Sequence, residues 1–464
     1  MSHMRPFGLK DKIGYLFGDL GNNFSFAFAG SYLMVFYTKV LGLSGAFVGA
    51  LFLAARIVDA FTDITMGRIV DTMPSAKDGR FRPWLRRMCV PVVLTSTLLY
   101  LHWVAAWPYW AKVIYVIVTY IAWGSFCYTA VNIPYGSMAS VISHEAEDRA
   151  ALSTYRSVGA SLAGLAIGTV VPLFIYETDS MGNQLVMPMR FTVTAVCFGV
   201  LAFLCYVICY KLCRERVSFE GEPQNQKEGA GAGAIIISFV KNRSLISLVF
   251  AALILLLATM LGQTMNNYLF MDYFRNAKAL SLLNLVSIGG MLIVSPFVKR
   301  IATDFGKKEA GAIGMLVSGI IYVLLFFFRV KSIPLFLVLI FLGTLGVGLF
   351  NLITWAFITD IIDHQEVLTG KREDGTVYAI YSFARKLGQA LAGGIGGFAL
   401  SAIGYVSEAA AQTALVTERI YSVAVLVPGI CYLVVFLIMQ FWYPLNKHQV
   451  TRNTELLQKR REGR

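Results

Sequence analysis

Charged side chains are scarce in this sequence. Asp, Glu, Lys and Arg make up 14% of its 464 residues, whereas a soluble globular domain has about 25%. The mean hydropathy is +0.64, and 57% of the residues are hydrophobic. A chain this apolar could not cover its core with polar surface. We therefore exclude an ordinary soluble domain and predict a protein whose solvent is the lipid bilayer.

Patterns that would indicate an enzyme or a metal protein are also missing. None of the seven cysteines has metal-ligand spacing, and Cys205, Cys209 and Cys213 recur every four residues, as packing residues on one helix face would. The sequence has no phosphate-binding loop, dinucleotide-binding glycine motif or nucleophile elbow. We predict a protein that is not an enzyme, holds no cofactor and does not itself hydrolyse ATP. We also expect no cleavable signal peptide, because the first apolar run is too long for a signal core.

Long apolar runs are what the sequence has in abundance. Each can cross a hydrocarbon core about 30 Å thick, which takes about 20 helical residues. The twelve runs lie near 13–38, 44–70, 88–107, 111–141, 153–176, 190–213, 241–271, 279–298, 309–328, 334–363, 375–404 and 418–443.

A polar, glycine-rich segment after the sixth run divides the runs into two sets of six. We therefore predict an all-α membrane protein with twelve transmembrane helices in two six-helix bundles. The first bundle covers 1–213 and the second covers 241–443. A cytoplasmic linker at 214–240 joins them, and a cytoplasmic tail follows at 444–464.

The basic residues are spread along the chain in a biased way. They give a formal net charge of +13, but they are dispersed into short loops, so we exclude nucleic acid as a partner. With the N-terminus inside, the cytoplasmic segments hold about 27 Lys and Arg residues and the outer segments about eight. This bias predicts a multi-pass protein of the inner (plasma) membrane with both termini in the cytoplasm.

The two halves of the sequence echo one another. The second run ends in GRIVDTMPSAKDGRFRPW (67–84), and the eighth run, at the same place in the second half, ends in VKRIATDFGKKE (298–309). Two six-helix halves with such basic loops resemble the major facilitator superfamily. In that fold an axis along the membrane normal relates the two bundles, and substrate binds between them near the midplane.

Two carboxylates inside the second run form the sharpest functional pattern. A charge at the centre of a membrane helix costs about 2.5–3.5 kcal/mol on insertion scales, so each is a functional candidate. Asp59 and Asp63, in RIVDAFTD, are four residues apart and stack on one helix face, where they repel each other. A proton relieves this repulsion, and so does a hard cation that prefers oxygen ligands. We favour a Na+ or H+ site over the alternative, a structural ion pair with Arg56 one turn earlier.

A third acid lies in the first run. Asp19 stands in GYLFGDLGNN, followed by Asn22 and Asn23. A carboxylate beside amides suits recognition of sugar hydroxyls, because it accepts hydrogen bonds from them. The alternative is a buried acid paired with Arg156 or Arg56.

Two adjacent cations occupy the eleventh run. Arg385 and Lys386 stand in YSFARKLGQALAGG, and neighbours on a helix point about 100° apart, so both can border one cavity. Such charges need an anionic partner in a membrane. The partner is either an acid of this chain or a substrate carboxylate, whose geometry matches the planar fork of arginine.

The tenth run ends with two further acids, Asp360 and Asp363. We predict that they form a cytoplasmic gate with Arg300 or Arg372, because a salt bridge can hold an inner gate closed and break during transport. The alternative is a plain solvated helix end.

Several segments together carry a family resemblance. They are GDLGNN, RIVDAFTDITMGRIVD, GRFRPW, NIPYGSMAS and DIIDHQEVLTGKREDG. In combination they resemble the glycoside–pentoside–hexuronide:cation symporters, the family of the melibiose carrier, over nearly the whole chain. The NIPYGS and FARKLGQA segments look more like the β-glucuronide carriers of that family.

The resemblance implies roles for particular residues. The acids Asp59 and Asp63 would bind the coupling cation, with further oxygens from Thr62 and Thr129. The substrate-binding residues that we predict are Asp19, Asn23, Tyr128, Asn132, Arg156, Arg385 and Lys386.

Two departures from the melibiose carrier bear on the substrate. Asn132 and Gly136 stand where that carrier has an acid and a stacking tryptophan, so an α-galactoside is not expected. Arg385 fits a glucuronide carboxylate.

The sequence thus predicts symport of Na+ or H+ with a glycoside, a β-glucuronide, by alternating access. The same fold carrying neutral xylosides, glucosides or a lysolipid is an alternative, and so is an uncoupled facilitator. The expected partners are the glycoside and the lipid bilayer, and we expect a monomer.

Overall fold

The computed structural model describes residues 5–73, 76, 78–143, 145–216, 242–369, 374–409 and 411–462. Nearly all of this chain is helical. The helices are α1 (Leu9–Val35), α2 (Gly45–Thr72), α3 (Arg82–Leu98), α4 (Tyr109–Ile121), α5 (Thr129–Ile142), α6 (Ala146–Ile175), α7 (Pro188–Leu212), α8 (Arg243–Tyr268), α9 (Leu280–Val294), α10 (Val298–Phe305), α11 (Lys307–Phe328), α12 (Ile333–Thr369), α13 (Asp374–Ala402), α14 (Ala414–Leu437) and α15 (Lys447–Glu462). Strands β1 (Tyr176–Thr178) and β2 (Gln184–Val186) form one antiparallel hairpin.

Ten helical spans in the described part of the chain are long and apolar enough to cross a membrane. They are Gly45–Val70, Arg82–Ala106, Tyr109–Ile142, Glu147–Ile175, Pro188–Leu212, Arg243–Tyr273, Ala277–Phe305, Lys307–Phe328, Ile333–Leu368 and Ala414–Trp442. Two further helices, α1 and α13, coincide with the first and eleventh predicted runs and have 27 and 29 residues. Charged and amide residues along them lower their hydropathy, although their length suffices for a membrane span.

Some helices are longer than the apolar runs from which they were predicted. Helix α6 begins at Ala146 rather than near 153, and α12 continues to Thr369 rather than ending near 363. Hydropathy marks the part of a helix that lies in hydrocarbon, whereas its backbone hydrogen bonds can continue into water. The sequence places Asp360 and Asp363 at the end of the tenth run. In the structure they lie within α12, which continues to Thr369.

The chain forms two compact units, each with its own core. The first unit is Met1–Pro223 with the short segments Arg275–Ser281 and Gly397–Gln412, and the second is Gln224–Phe274, Leu282–Gly396 and Thr413–Arg464. The short segments join the first unit through hydrogen bonds, such as that from the Ala46 backbone N–H to Ser401 Oγ at 2.8 Å. Of the predicted linker at 214–240, all but residues 214–216 lies outside the described residues.

Helix α1 lies at the centre of the first unit, against α5, α6 and α7. The closest approach is to α6, where a Cβ built on Gly159 would collide with the backbone carbonyl oxygen of Leu16. On another side of α1, the Tyr15 and Tyr135 rings stack at 4.6 Å, and the Tyr135 hydroxyl donates to the Tyr15 carbonyl at 2.6 Å. These contacts fix how α1 presents its polar residues to α6.

The chain after α7 is anchored to the loop that precedes α3. The Glu215 carboxylate accepts hydrogen bonds of 2.7–2.9 Å from the three backbone N–H groups of 80–82, at the beginning of α3. These are the donors that a helix start leaves without intrahelical partners. Nearby, Asp78 accepts a hydrogen bond from the Tyr210 hydroxyl and pairs with Arg86. Chiefly because of the Tyr210 hydrogen bond, the pKa of Asp78 lies below its ordinary value.

The second unit packs around α11, which lies against α12 and α14. Its core includes Leu248, Met315, Phe350 and Ile361, all buried. Close approach again depends on small residues, because a Cβ on Gly346 would collide with the carbonyl oxygen of Gly314.

Gly159→Ala should lower the thermal unfolding midpoint of the purified protein. The added methyl meets backbone of α1, which cannot rotate away as a side chain can, and overpacking of this kind costs about 1–3 kcal/mol. The matched control is Gly164→Ala on the same helix, where a Cβ meets nothing within 4 Å and alanine is the better helix former by about 1 kcal/mol. Equal unfolding midpoints for the two variants would contradict the packing described here.

Candidate substrate and cation site

Two carboxylates of α2 each face a hydroxyl of the α4–α5 span. Ser125 Oγ donates to Asp59 Oδ1 at 2.6 Å, and Thr129 Oγ1 donates to Asp63 Oδ1 at 3.0 Å. The acids are four residues apart and so are the hydroxyls, so one helix face meets another in matching register. We call these four residues the acid–hydroxyl cluster.

A change of helix type sets the position of the two hydroxyls. The stretch Ala122–Tyr128, between α4 and α5, is π-helical. Ser125 lies within it, and Thr129, which follows it, also donates to the Gly124 carbonyl at 3.2 Å. Such stretches occur frequently at functional sites, because their wider turns alter the regular backbone hydrogen bonds. Gly124 lies beside Asp59, where an added Cβ would make an ordinary van der Waals contact with Asp59 Oδ1 at 3.7 Å.

Arg56 occupies the second oxygen of Asp59. Its Nη1 lies 3.2 Å from Asp59 Oδ2, and both side chains are partly exposed, at 24% and 19%. The guanidinium carbon also lies 5.0 Å from the centroid of the Phe26 ring, within the range of a cation–π contact. The ion pair considered from the sequence is therefore present, and it engages Asp59 Oδ2, whereas Asp59 Oδ1 accepts the hydrogen bond from Ser125. A cation that coordinates Asp59 through Oδ2 would compete with Arg56.

Thr62 is placed beside the cluster. Its Oγ1 donates to the backbone carbonyl of Asp59 at 3.1 Å, one turn back in α2. The proton is thus directed away from the carboxylates, and a lone pair on Oγ1 stays available as a ligand.

Asp19 is the centre of a second polar network, between α1 and α6. Its side chain is buried, and Oδ1 accepts from Arg156 Nε at 2.9 Å while Oδ2 accepts from Asn23 Nδ2 at 2.8 Å. The Arg156 side chain is 42% exposed, and its guanidinium lies 5.5 Å from the Tyr135 ring centroid. The pairing of Asp19 with Arg156, an alternative from the sequence, is therefore present. The pairing engages Nε of Arg156. The Nη atoms of Arg156 make no hydrogen bond within the described part of the chain.

An aromatic stack lies between these two networks. The Tyr128 ring stacks on Phe26 at 5.1 Å with an interplanar angle of 20°, and Phe26 is the ring that carries Arg56. Phe26 belongs to α1, one turn after Asn23. The predicted ligand Asn132 is half-buried on α5, and its amide makes no side-chain hydrogen bond among the described residues. Tyr128 is thus linked through Phe26 and Arg56 to Asp59 of the acid–hydroxyl cluster.

The remaining predicted substrate residues belong to the second unit. The guanidinium of Arg385 lies 6.0 Å from the Trp355 ring centroid. Lys386 is within α13, but its side chain lies outside the described residues.

Of the two predicted partners of the gate acids, Arg300 does not pair with Asp360, and Arg372 lies outside the described residues. Lys307 Nζ, at the beginning of α11, lies 2.6 Å from Asp360 Oδ1. Arg300 instead pairs with Asp304, one turn along α10, at 3.6 Å. Lys307 starts a helix that packs along α12, whereas Arg300 is largely exposed, which explains the choice of partner. Asp363 is half-buried one turn after Asp360.

Two residues that contact the predicted site, Ser125 and Phe26, were not predicted from the sequence. Ser125 went unnoticed because a single serine in an apolar run is ordinary, although its spacing from Thr129 repeats the spacing of Asp59 and Asp63. Phe26 had no distinguishing signal among 33 phenylalanines, since only the fold places its ring on Arg56.

Charged groups, hydroxyls and stacked rings inside membrane spans are typical of ion and solute pathways. Together with the two helical units, they define a multi-pass secondary transporter of the major facilitator type. The chain belongs to the MFS/sugar transport protein family, whose model matches residues 14–447. The predicted fold class and the resemblance to glycoside–pentoside–hexuronide symporters are confirmed.

Similar proteins that match nearly the whole chain support this assignment. The chain is 32% identical to an uncharacterised symporter of Bacillus subtilis (strain 168), over 95% of this chain and 93% of the relative. It is also 32% identical to the glucuronide carrier protein homolog of Escherichia coli (strain K12), over 93% and 92%. The solved inward-open xylose transporter of E. coli shares the fold, with a TM-score of 0.62 at 13% identity over 96% of this chain and 98% of that chain.

The double variant Asp19→Asn/Arg156→Gln should be destabilised by less than the sum of the effects of the two single variants. Each single change leaves one charge in the helix interface without its partner, which costs several kcal/mol when buried and about 1–3 kcal/mol here, where Arg156 is partly exposed. The measurement is a double-mutant cycle of thermal unfolding midpoints in detergent. Arg190→Gln, which breaks an exposed pair with Glu177, is the control and should change little. Strict additivity would show that the pair contributes no coupling.

Proposed function

We propose that this chain couples the inward movement of Na+ or H+ to the uptake of a β-glucuronide by alternating access. The observation that carries the coupling is the acid–hydroxyl cluster, in which two carboxylates and two hydroxyls face each other across two membrane spans. A facilitator without coupling has no need for two like charges on one face of a membrane helix, where they repel.

The cluster offers a small cation several hard oxygens. Asp59 and Asp63 supply carboxylates, and Ser125 and Thr129 can rotate their hydroxyl protons away and turn lone pairs toward the ion. Thr62 adds a further oxygen. A proton can satisfy the same site by neutralising one carboxylate, so Na+ and H+ coupling share these residues.

The proposed solute site begins at the Asp19 network. Asp19 accepts hydrogen bonds from sugar hydroxyls, and the Asn23 amide can both donate and accept. Tyr128 offers a ring against which a sugar can stack. For the carboxylate of a glucuronide we propose Arg385 and Lys386, with Arg156 available through its Nη atoms. The similarity to the glucuronide carrier homolog of E. coli supports an acidic sugar as cargo.

Cation and solute binding would reinforce each other through α1 and α2. Arg56 contacts Asp59 at one end and Phe26 on its face, and Phe26 stacks on Tyr128. A cation that draws Asp59 away from Arg56 changes what rests on Phe26, and so changes the ring at the solute site. Coupling of this kind is reciprocal, so the solute tightens cation binding by the same factor.

The proposed setting is the inner membrane, with both termini in the cytoplasm and a monomer as the working form. The bias of Lys and Arg residues supports this orientation. In that orientation the Lys307–Asp360 pair lies toward the cytoplasmic end of the second unit. We propose this pair for the inner gate, together with Arg300, Asp363 and Arg372.

Asp59→Asn with Asp63→Asn should abolish accumulation of solute against its gradient in membrane vesicles. Near neutral pH, amides neither take up a proton nor balance the charge of a cation. Exchange of labelled solute down its gradient should survive if the fold is intact. Accumulation that persists in the double variant would favour the alternative of an uncoupled facilitator, in which Arg56 simply neutralises Asp59.

Variants that remove a single hydroxyl test the cation site by the cation dependence of transport. Ser125→Ala or Thr129→Val removes one hydroxyl oxygen that would turn toward the cation. Loss of a supporting group at a metal site costs about tenfold to a hundredfold in affinity, so the cation concentration for half-activation should rise by about that factor. Ser140→Ala is the control, because that hydroxyl donates only to a carbonyl of its own helix. An unchanged half-activation in Ser125→Ala would remove Ser125 from the cation site.

A β-glucuronide should bind the purified protein more tightly than the matching neutral β-glucoside. The carboxylate adds an ion pair with Arg385 or Lys386, and isothermal titration with and without sodium, between pH 5.5 and 8, measures the difference. Heat that depends on sodium would support Na+ coupling, and proton uptake or release without sodium dependence would support H+. Arg385→Gln should lower the affinity for the glucuronide and leave that for the glucoside unchanged. Equal binding of both sugars would direct attention to neutral xylosides and glucosides.

A further inference from the structure

Four lysines surround one cavity in the second unit. The cavity has a volume of about 440 Å³ and lies where α10, α11, α12 and α15 meet. Lys299 comes from α10, Lys307 and Lys308 from the beginning of α11, and Lys447 from the beginning of α15. Residues far apart in the sequence therefore bring their positive charges to one place.

The positive charge around this cavity is only partly balanced. Lys307 pairs with Asp360, and Lys447 Nζ donates to the backbone carbonyl of Asp304 at 2.9 Å. Lys299 and Lys308 form no salt bridge within the described residues, and no acidic side chain is among the described residues that line the cavity. Like charges gathered in this way repel each other, and a bound anion would offset the repulsion.

The rest of the wall is apolar. Leu352, Ile353 and Ala356 of α12 line one side, and Val298 and Val450 line others. A small anion such as free phosphate gains nothing from these surfaces, whereas an acyl chain is removed from water against them. The cavity lies beside membrane-spanning helices, because α10 ends the apolar span Ala277–Phe305 and the lining residues of α12 lie within the apolar span Ile333–Leu368.

We propose that this cavity binds an anionic phospholipid from the surrounding bilayer. Its phosphate would lie among Lys299, Lys308 and Lys447, and the first part of an acyl chain would lie against α12. Basic pockets between membrane helices on the cytoplasmic side suit such headgroups. Bound there, the lipid would join α15 to α10 and α12. This site is separate from the acid–hydroxyl cluster and does not depend on which solute or cation the protein carries.

Native mass spectrometry of the full-length protein in detergent tests the proposal, with phosphatidylglycerol and phosphatidylcholine added in parallel. Wild type should retain phosphatidylglycerol preferentially. Lys299→Gln/Lys308→Gln/Lys447→Gln should weaken its retention by about a hundredfold, since each lysine near an anionic lipid contributes a factor of about five. The control Lys331→Gln/Arg452→Gln/Lys459→Gln removes the same charge from exposed positions outside the cavity and should bind within about twofold of wild type.

A second variant keeps the lysines and fills the cavity. Ala302→Trp should expel the lipid if the apolar wall holds an acyl chain, and it decides the question alone if the lysine variant does not fold. Phosphatidylglycerol retention that is equal in wild type, the lysine variant and Ala302→Trp would overturn the proposal. Competition by glycerol phosphate as strong as that by phosphatidylglycerol would also overturn it, because the site would then select a free anion and not a lipid.

Discussion

The pairing of buried carboxylates with cations and hydrogen-bond donors governs the inside of each unit. Asp19 is held by Arg156 and Asn23, Asp59 by Arg56 and Ser125, and Asp360 by Lys307. Each pair joins two parts of the chain or two turns of a helix, so the side chains that neutralise charge also fix where helices lie. The proposed transport residues and the structural ion pairs are consequently the same residues.

This double use explains what sequence could and could not predict. The twelve helices follow from apolar runs of membrane length, and the acids Asp59 and Asp63 follow from the cost of charge in hydrocarbon. Both are local properties that one segment carries by itself. The partner of an acid is not local. Arg300 was predicted as a partner of the gate acids and Lys307 was not, and only the packing of α11 along α12 brings Lys307 to Asp360.

Contacts that depend on helix register were also beyond the sequence. The composition of Ala122–Tyr128 does not indicate a π-helix, yet this stretch places Ser125 within hydrogen-bond distance of Asp59. Gly159 is one of 41 glycines, and its importance arises only because the Leu16 carbonyl lies against it. By contrast, the resemblance to glycoside–pentoside–hexuronide symporters named Thr129, because a family motif carries information about contacts that a single chain does not display.

The π-helical stretch constrains how this protein can evolve. A substitution between 122 and 128 changes one side chain, whereas the deletion of one residue there would turn everything on one side of the gap by about 100° relative to the other. A deletion between Ser125 and Thr129 would then turn one of the two hydroxyls away from α2, and a deletion before Ser125 would turn both relative to the preceding helix. Natural variants of this span should therefore differ in residue type far more often than in length, and alignments without gaps across it would be expected even among distant relatives.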